Sequence, residues 1–420
     1  MPQRAKLSST LGLAIAGGAL EFYNFVIFVF LTDIIGLLFF PPDLPAWLTR
    51  VQTFGVFAAG YIFRPLGGIV IAHFGDTFGR KRVFAFSILL MAVSTLAMAF
   101  IPTYKSIGVA APIILLILRI MQGIAIGGEI PGAWTFVSEH APPSQVGFAC
   151  SLVCAGLGVG ILLGSTIVTL VSGMLGASNM LEYGWRIPFL IGGILGLLAV
   201  QLRRILRETP SFLELRKNNM LALELPLSIV LKTHSRGIFL SMLGTWILSA
   251  IVVILMLMQP MLLQETHRFT RAEALIGTSV GTLSLISATI LAGKLVDRIG
   301  LGRFFCLGGC LLLASAFLSY CTAAQTASAS MYLCIILTGV SGSALAGVPI
   351  IMVRSFPPHV RFSGVAFSYN ISYALFGGIT PVAIAALMPY NPIAYVYYLF
   401  LIGSITVALG IYLMFFSVLE

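Results

Sequence analysis

The chain has 420 residues, 59% of them hydrophobic and only 9% charged, where soluble domains carry about a quarter charged residues. Twenty-four basic and fourteen acidic side chains are too few to cover a water-soluble protein of this length, which excludes a soluble enzyme, and at ~20 residues per span the apolar runs are too many for a single-span receptor. The net charge of +10 is no sign of a nucleic-acid partner, because Lys and Arg gather in the cytoplasmic loops of membrane proteins.

Apolar runs bounded by charge, Pro or Gly predict twelve transmembrane helices, at 11–38, 46–72, 83–101, 110–137, 147–175, 186–202, 237–263, 273–296, 304–322, 330–353, 363–388 and 393–417. The first run is too long for a signal-peptide core and has no small-residue cleavage site. Eighteen bases, from Arg4 to Arg361, fall on one side and five, Arg50, Lys105, Arg186, Arg268 and Arg271, on the other. Both termini are therefore expected in the cytoplasm. The six cysteines lie in apolar stretches without a CxxC pair and read as small packing residues.

The longest polar interval separates spans six and seven, giving a bundle over 1–205, a cytoplasmic connector over 206–236 and a second bundle over 237–420. The halves echo each other. Asp76, Gly79 and Arg82 after span two return as Asp297, Gly300 and Arg303 after span eight, and Pro142-Pro143 after span four returns as Pro357-Pro358 after span ten. Two echoes in nearly one register predict two related six-helix bundles, the architecture of alternating access around a midplane site.

The loop after span two runs Arg64-Pro-Leu-Gly-Gly68, then His73-Phe-Gly-Asp76-Thr-Phe-Gly79-Arg80-Lys81-Arg82. Glycines allow close helix approach, an aspartate can accept from a neighbouring helix N-terminus, and the bases can pair across a seam. Arg64, Asp76, Gly79, Arg80 and Arg82, with Asp297, Arg298 and Arg303, are the expected gate.

Charges inside hydrocarbon mark the expected site, since intramembrane ions usually face a cavity or one another. Arg119 lies roughly 13 Å from one end of span four and Glu21 roughly 15 Å from the opposite end of span one, which places both near the midplane. Arg119, Gly123 and Gly127 fall at every fourth position, so a partner helix can pack on that face. Asn24 and Phe28 share the Glu21 face of span one, and Gln122 follows Arg119 by one turn. Trp246 and Gln259 in span seven and Tyr369, Asn370 and Tyr373 in span eleven are polar or amphipathic groups in apolar helices. Candidate solute ligands are Arg119, Gln122, Asn24, Phe28, Trp246, Tyr369, Asn370 and Tyr373; candidate proton-coupling acids are Glu21, Asp33 and Glu129. Glu129 is also placed to brace the loop 2–3 gate, and Asp33 reads as a solvated rim.

The loop after span two resembles the signature of the major facilitator superfamily. Four further stretches narrow the resemblance to its metabolite:proton symporter family, which includes proline/betaine, shikimate, citrate and 2-oxoglutarate carriers. They are Glu21-Phe-Tyr-Asn24-Phe; Arg119-Ile-Met-Gln-Gly123 through Glu129; Gly184-Trp-Arg-Ile-Pro-Phe189 on to Glu208-Thr-Pro210; and Phe356-Pro-Pro358 through Arg361, Gly364 and Asn370 to Pro381. The resemblance implies an all-α membrane protein with the major facilitator fold, working as a monomer in the bacterial cytoplasmic membrane. It also implies import of a small organic solute driven by the proton gradient, without a cofactor and without nucleic acid. Two positions depart from the family: Asn24 stands where members usually have Asp, and Gln145 and Val146 replace bases after span four.

With Asn24 neutral, Glu21 is the one acid left in the core of span one, and a Glu21–Arg119 pair is expected, either fixed or exchanged for solute carboxylate and proton. Span five has the glycines of proton-driven exporters, Gly156, Gly158, Gly160 and Gly164, without their Gly-Pro dipeptide, so import is favoured and export is the alternative. An enzyme is not expected, since His73, His140, His234, His267 and His359 sit at separate loops without metal-ligand spacing.

Overall fold

The computed structural model describes residues 2–78, 80–204, 226–322, 329–357 and 360–415. Side chains at 72–85 and 202–227 lie outside the described residues. With them go most of the connector and the side chains of His73, Asp76, Arg80, Lys81 and Arg82; Gly79 is not described at all.

Nothing in hydrocarbon can satisfy a bare backbone N–H or C=O, so apolar runs this long must close their hydrogen bonds along themselves. Among the described residues nine helices are long and apolar enough to cross a bilayer. A tenth span is bent by 60° where Ile15–Phe30 meets Thr32–Phe39, and the shorter apolar helices Phe86–Met98 and Arg186–Gln201 are spans three and six. All twelve expected spans are thus present.

Several are interrupted. Span two runs as Ala46–Ile62 and Arg64–Phe78, and span four as Ala110–Ile126 and Glu129–His140. Spans seven and eleven each carry a π turn, at Val253–Leu257 and Tyr373–Gly377. Span eight, Arg271–Ile299, opens with a capping box in which the Thr270 hydroxyl accepts from the Glu273 N–H and the Glu273 carboxylate accepts from the Thr270 N–H, satisfying two donors of a helix start. It ends at Gly300, whose φ of 82° turns the chain straight into span nine, Leu301–Cys321. That conformation favours glycine.

The packing repeats between the halves. Span one lies along span five as seven along eleven; two along four as eight along ten; three along six as nine along twelve. The halves meet where span five runs beside eight and span two beside eleven.

Candidate functional site

Arg119 is fully buried, and its small-residue face does what its spacing predicts. A Cβ on Gly123 would run into the Gly60 carbonyl of span two, and one on Gly127 into the Arg64 backbone. Spans two and four thus touch backbone to backbone. Against this seam Arg119 donates from Nη1 to the Phe25 carbonyl at 2.9 Å and to Gln122 Oε1 at 2.7 Å, and from Nη2 to the Phe57 carbonyl at 3.4 Å. Its guanidinium carbon also lies 4.6–4.9 Å from the ring centres of Phe25, Phe28 and Phe57. The two terminal nitrogens are thus engaged by carbonyls of spans one and two and by the Gln122 amide, in place of the expected ion pair with Glu21. Gln122 completes the network by donating to Thr95 Oγ1 at 2.8 Å and to the Asn24 carbonyl at 3.3 Å.

Arg64 differs in every respect from an exposed loop base. It is fully buried on span two at the seam with span eleven. Its guanidinium carbon lies 4.7 Å from the ring centre of Tyr373, 5.0 Å from Tyr369, 5.5 Å from Tyr61 and 5.9 Å from Phe25. Tyr61 stacks on Tyr373 at 5.2 Å, and Trp134 stands edge-on to Tyr369 at 5.1 Å. Among the described residues no well-aligned acceptor faces the three Arg64 guanidinium nitrogens, the Tyr369 hydroxyl being the polar group set beside them; the Tyr61 hydroxyl has no hydrogen-bond partner, and the Trp134 indole N–H meets only the Cys154 sulfur.

The halves are latched on both faces. On the face carrying the termini, the Asp297 carboxylate of span eight accepts from the backbone N–H of Gly147 at 2.8 Å and of Phe148 at 2.9 Å, at the start of span five. On the same face Arg361 donates to Glu139 at 3.1 Å. On the opposite face Arg50 of span two pairs with Glu265 at 2.5 Å. Between them, Asn370 of span eleven donates to the Gly127 carbonyl of span four at 2.6 Å.

Residues 10–381 match the Major Facilitator Superfamily. The chain belongs to the major facilitator superfamily. The proline/betaine transporter of Salmonella typhimurium is 30% identical over 418 residues, spanning 97% of this chain and 83% of that protein. The glycine betaine/proline/ectoine/pipecolic acid transporter of Dickeya dadantii is 29% identical over 419 residues, with the same coverage. Among solved structures, the proton:xylose symporter XylE bound to 6-bromo-6-deoxy-D-glucose superposes with a TM-score of 0.79 at 18% identity, covering 98% of this chain and 96% of that one. That likeness is one of fold.

As a major facilitator member the chain is a multi-pass membrane transporter, and its expected site residues divide. Tyr369, Asn370 and Tyr373 meet at the seam, with Arg64 among them. Phe28 stays with Arg119, stacked on Phe57. Asn24 packs against Gly192 and Gly196 of span six, inside the N-terminal half. Trp246 stacks on Phe376 at 4.2 Å and donates to the Tyr398 hydroxyl, and Gln259 lines a small cavity of the C-terminal half with His267 and Tyr395. Neither joins the seam cluster. Glu21 is buried, and buried Glu129 accepts from Ser87 of span three at 2.8 Å. Half-buried Asp33 lines a cleft with Gln264 and Arg271.

The gate is also redrawn. Asp297 bridges to the start of span five, whereas Arg64 lies at the seam of spans two and eleven, and Arg298 and Arg303 are exposed. The part expected of Asp76, Gly79, Arg80 and Arg82 falls outside the described residues. Tyr61 and Trp134 belong to the cluster without having been singled out; Trp134 had a signal, as an indole N–H inside a predicted span.

Proposed function

We propose that this transporter imports a small carboxylate-bearing solute together with protons, by rocking its two halves about the seam. The observation that carries the reading is the buried Arg64 between halves that are latched at both faces. A solute held there contacts spans two and eleven at once, so its binding free energy can bias one closure over the other. The names of the relatives point to glycine betaine and L-proline as the first solutes to test. Proton coupling is assigned to Glu21, a buried carboxylate in span one. The absence of a Gly-Pro dipeptide from span five favours import.

The same reading places the protein in a bacterial cytoplasmic membrane, as a monomer with both termini inside, and makes 206–236 the strap joining the halves. Purified protein in liposomes with an acidic exterior is expected to accumulate labelled glycine betaine or L-proline, and a protonophore to abolish the accumulation. Solute loss from preloaded vesicles against its gradient, without uptake in the other sense, would make the protein an exporter.

A further inference from the structure

Among the described residues two arginines lie fully buried, in different surroundings. Arg119 has carbonyl and amide acceptors for both its terminal nitrogens. Arg64 has no carboxylate, carbonyl or amide acceptor, only ring faces and the hydroxyl of Tyr369 out of line with its N–H donors. Ring faces attract a cation, but they leave in-plane N–H donors unused, and buried donors are nearly always satisfied. A guanidinium offers five such donors in a fork matched to a carboxylate. One more orphaned donor, the Tyr61 hydroxyl, lies in the same aromatic cluster.

We infer that Arg64 is the anion-binding residue of the solute site, and that the rings around it hold an alkylated ammonium on the same solute. This rests on the transporter reading above and adds the ligand's chemistry and seat. The seat carries one guanidinium, so one carboxylate takes its fork, whereas the further carboxylates of a di- or tricarboxylate would meet ring faces, whose quadrupole repels anions. When that carboxylate draws the guanidinium into its plane, the faces of Tyr61, Tyr369 and Tyr373 that now cover Arg64 become available to the solute's own cation. An ammonium carrying alkyl groups suits them, because it is weakly hydrated and meets π faces through its methyl or methylene shell. The ligand class is a zwitterion with one carboxylate and a substituted ammonium. Arg119 takes no part in binding it.

The test uses full-length protein in detergent, with binding read from tryptophan fluorescence and the melting temperature, and no gradient applied. Three probes dissect the ligand: glycine betaine, choline, which keeps the onium and lacks the carboxylate, and 3,3-dimethylbutyrate, which keeps the carboxylate and replaces the onium by a tert-butyl group. Glycine betaine is expected to bind at least tenfold more tightly than either. Arg64→Gln and Arg64→Lys are expected to weaken glycine betaine at least thirtyfold while changing choline less than threefold. Tyr373→Leu is expected to weaken glycine betaine and choline alike and to spare 3,3-dimethylbutyrate.

Arg64→Met supplies a second readout. Replacing a buried cation without a well-aligned acceptor by an apolar chain should hold or raise the melting temperature without ligand, and should remove the upward shift that glycine betaine gives the wild type. An Arg64→Met protein that melts lower than the wild type without ligand would make the guanidinium a structural element and overturn the inference. So would Arg64→Gln binding glycine betaine within twofold of the wild type, or a wild type that prefers choline. A wild type that binds glycine betaine through Arg64 but does not accumulate it under a proton gradient would overturn the import reading and uphold this site.

Discussion

The carboxylate of Asp297 accepts the backbone N–H of Gly147 at 2.8 Å and reaches the next amide with its other oxygen, so an acid of one half caps the first helix turn of the other. A carboxylate at a helix N-terminus contributes about 0.3–1 kcal/mol, and up to ~2 when partly buried. Asp297→Asn should therefore loosen this face about threefold to tenfold. Cys150, buried one turn further along span five, reports it. With the other five cysteines replaced, its alkylation rate should rise by that factor, and an unchanged rate would remove Asp297 from the gate.

Arg119 holds spans one, two and four together through Phe25, Phe57 and Gln122. Arg119→Ala leaves two buried carbonyls and an amide without their donor, a loss on the order of 3–5 kcal/mol. The variant is expected to melt many degrees lower, and its folded fraction to keep the wild-type affinity for glycine betaine. A large loss of affinity in a protein of normal melting temperature would return Arg119 to the solute site.

Gly123 has no room for a side chain, since a Cβ would overlap the Gly60 carbonyl. Gly123→Ala must push spans two and four apart, at about 1–3 kcal/mol, and should lower the melting temperature by several degrees. Gly55, also on span two, has nothing within 4 Å of the place a methyl group would take, so Gly55→Ala should be nearly silent. Equal effects of the two would show that the loss is one of glycine itself.

Glu21→Gln removes the assigned proton carrier and keeps the shape of the side chain. Accumulation against a gradient should fall to background, while exchange of labelled for unlabelled solute across the membrane should persist. Undiminished uphill uptake would move the coupling to Glu129 or Asp33.

The spans, the paired halves and the Arg119–Gly123–Gly127 face were legible because each depends on local periodicity and helix spacing. Arg64 was the instructive miss. It falls inside the predicted run 46–72, yet its place in the Arg-Pro-Leu-Gly-Gly stretch drew it to the loop and to the count of cytoplasmic bases. Only the approach of span eleven, more than three hundred residues away in sequence, shows it to be enclosed. Asn24 shows the same limit: a shared helical face tells which side chains align, and not whether that face meets the seam or the interior of its own half.

Spans seven and eleven each hold a π turn, and the one in span eleven begins at Tyr373, over Arg64. Such a turn takes up one residue more than an α turn between hydrogen-bonded groups, and so stores a length of slack. Drawing the slack in would wind Gly378–Leu387 by about 100° relative to Arg361–Ser372, with each segment keeping its own backbone hydrogen bonds. Span eleven can therefore twist in the bilayer without exposing a bare amide to lipid.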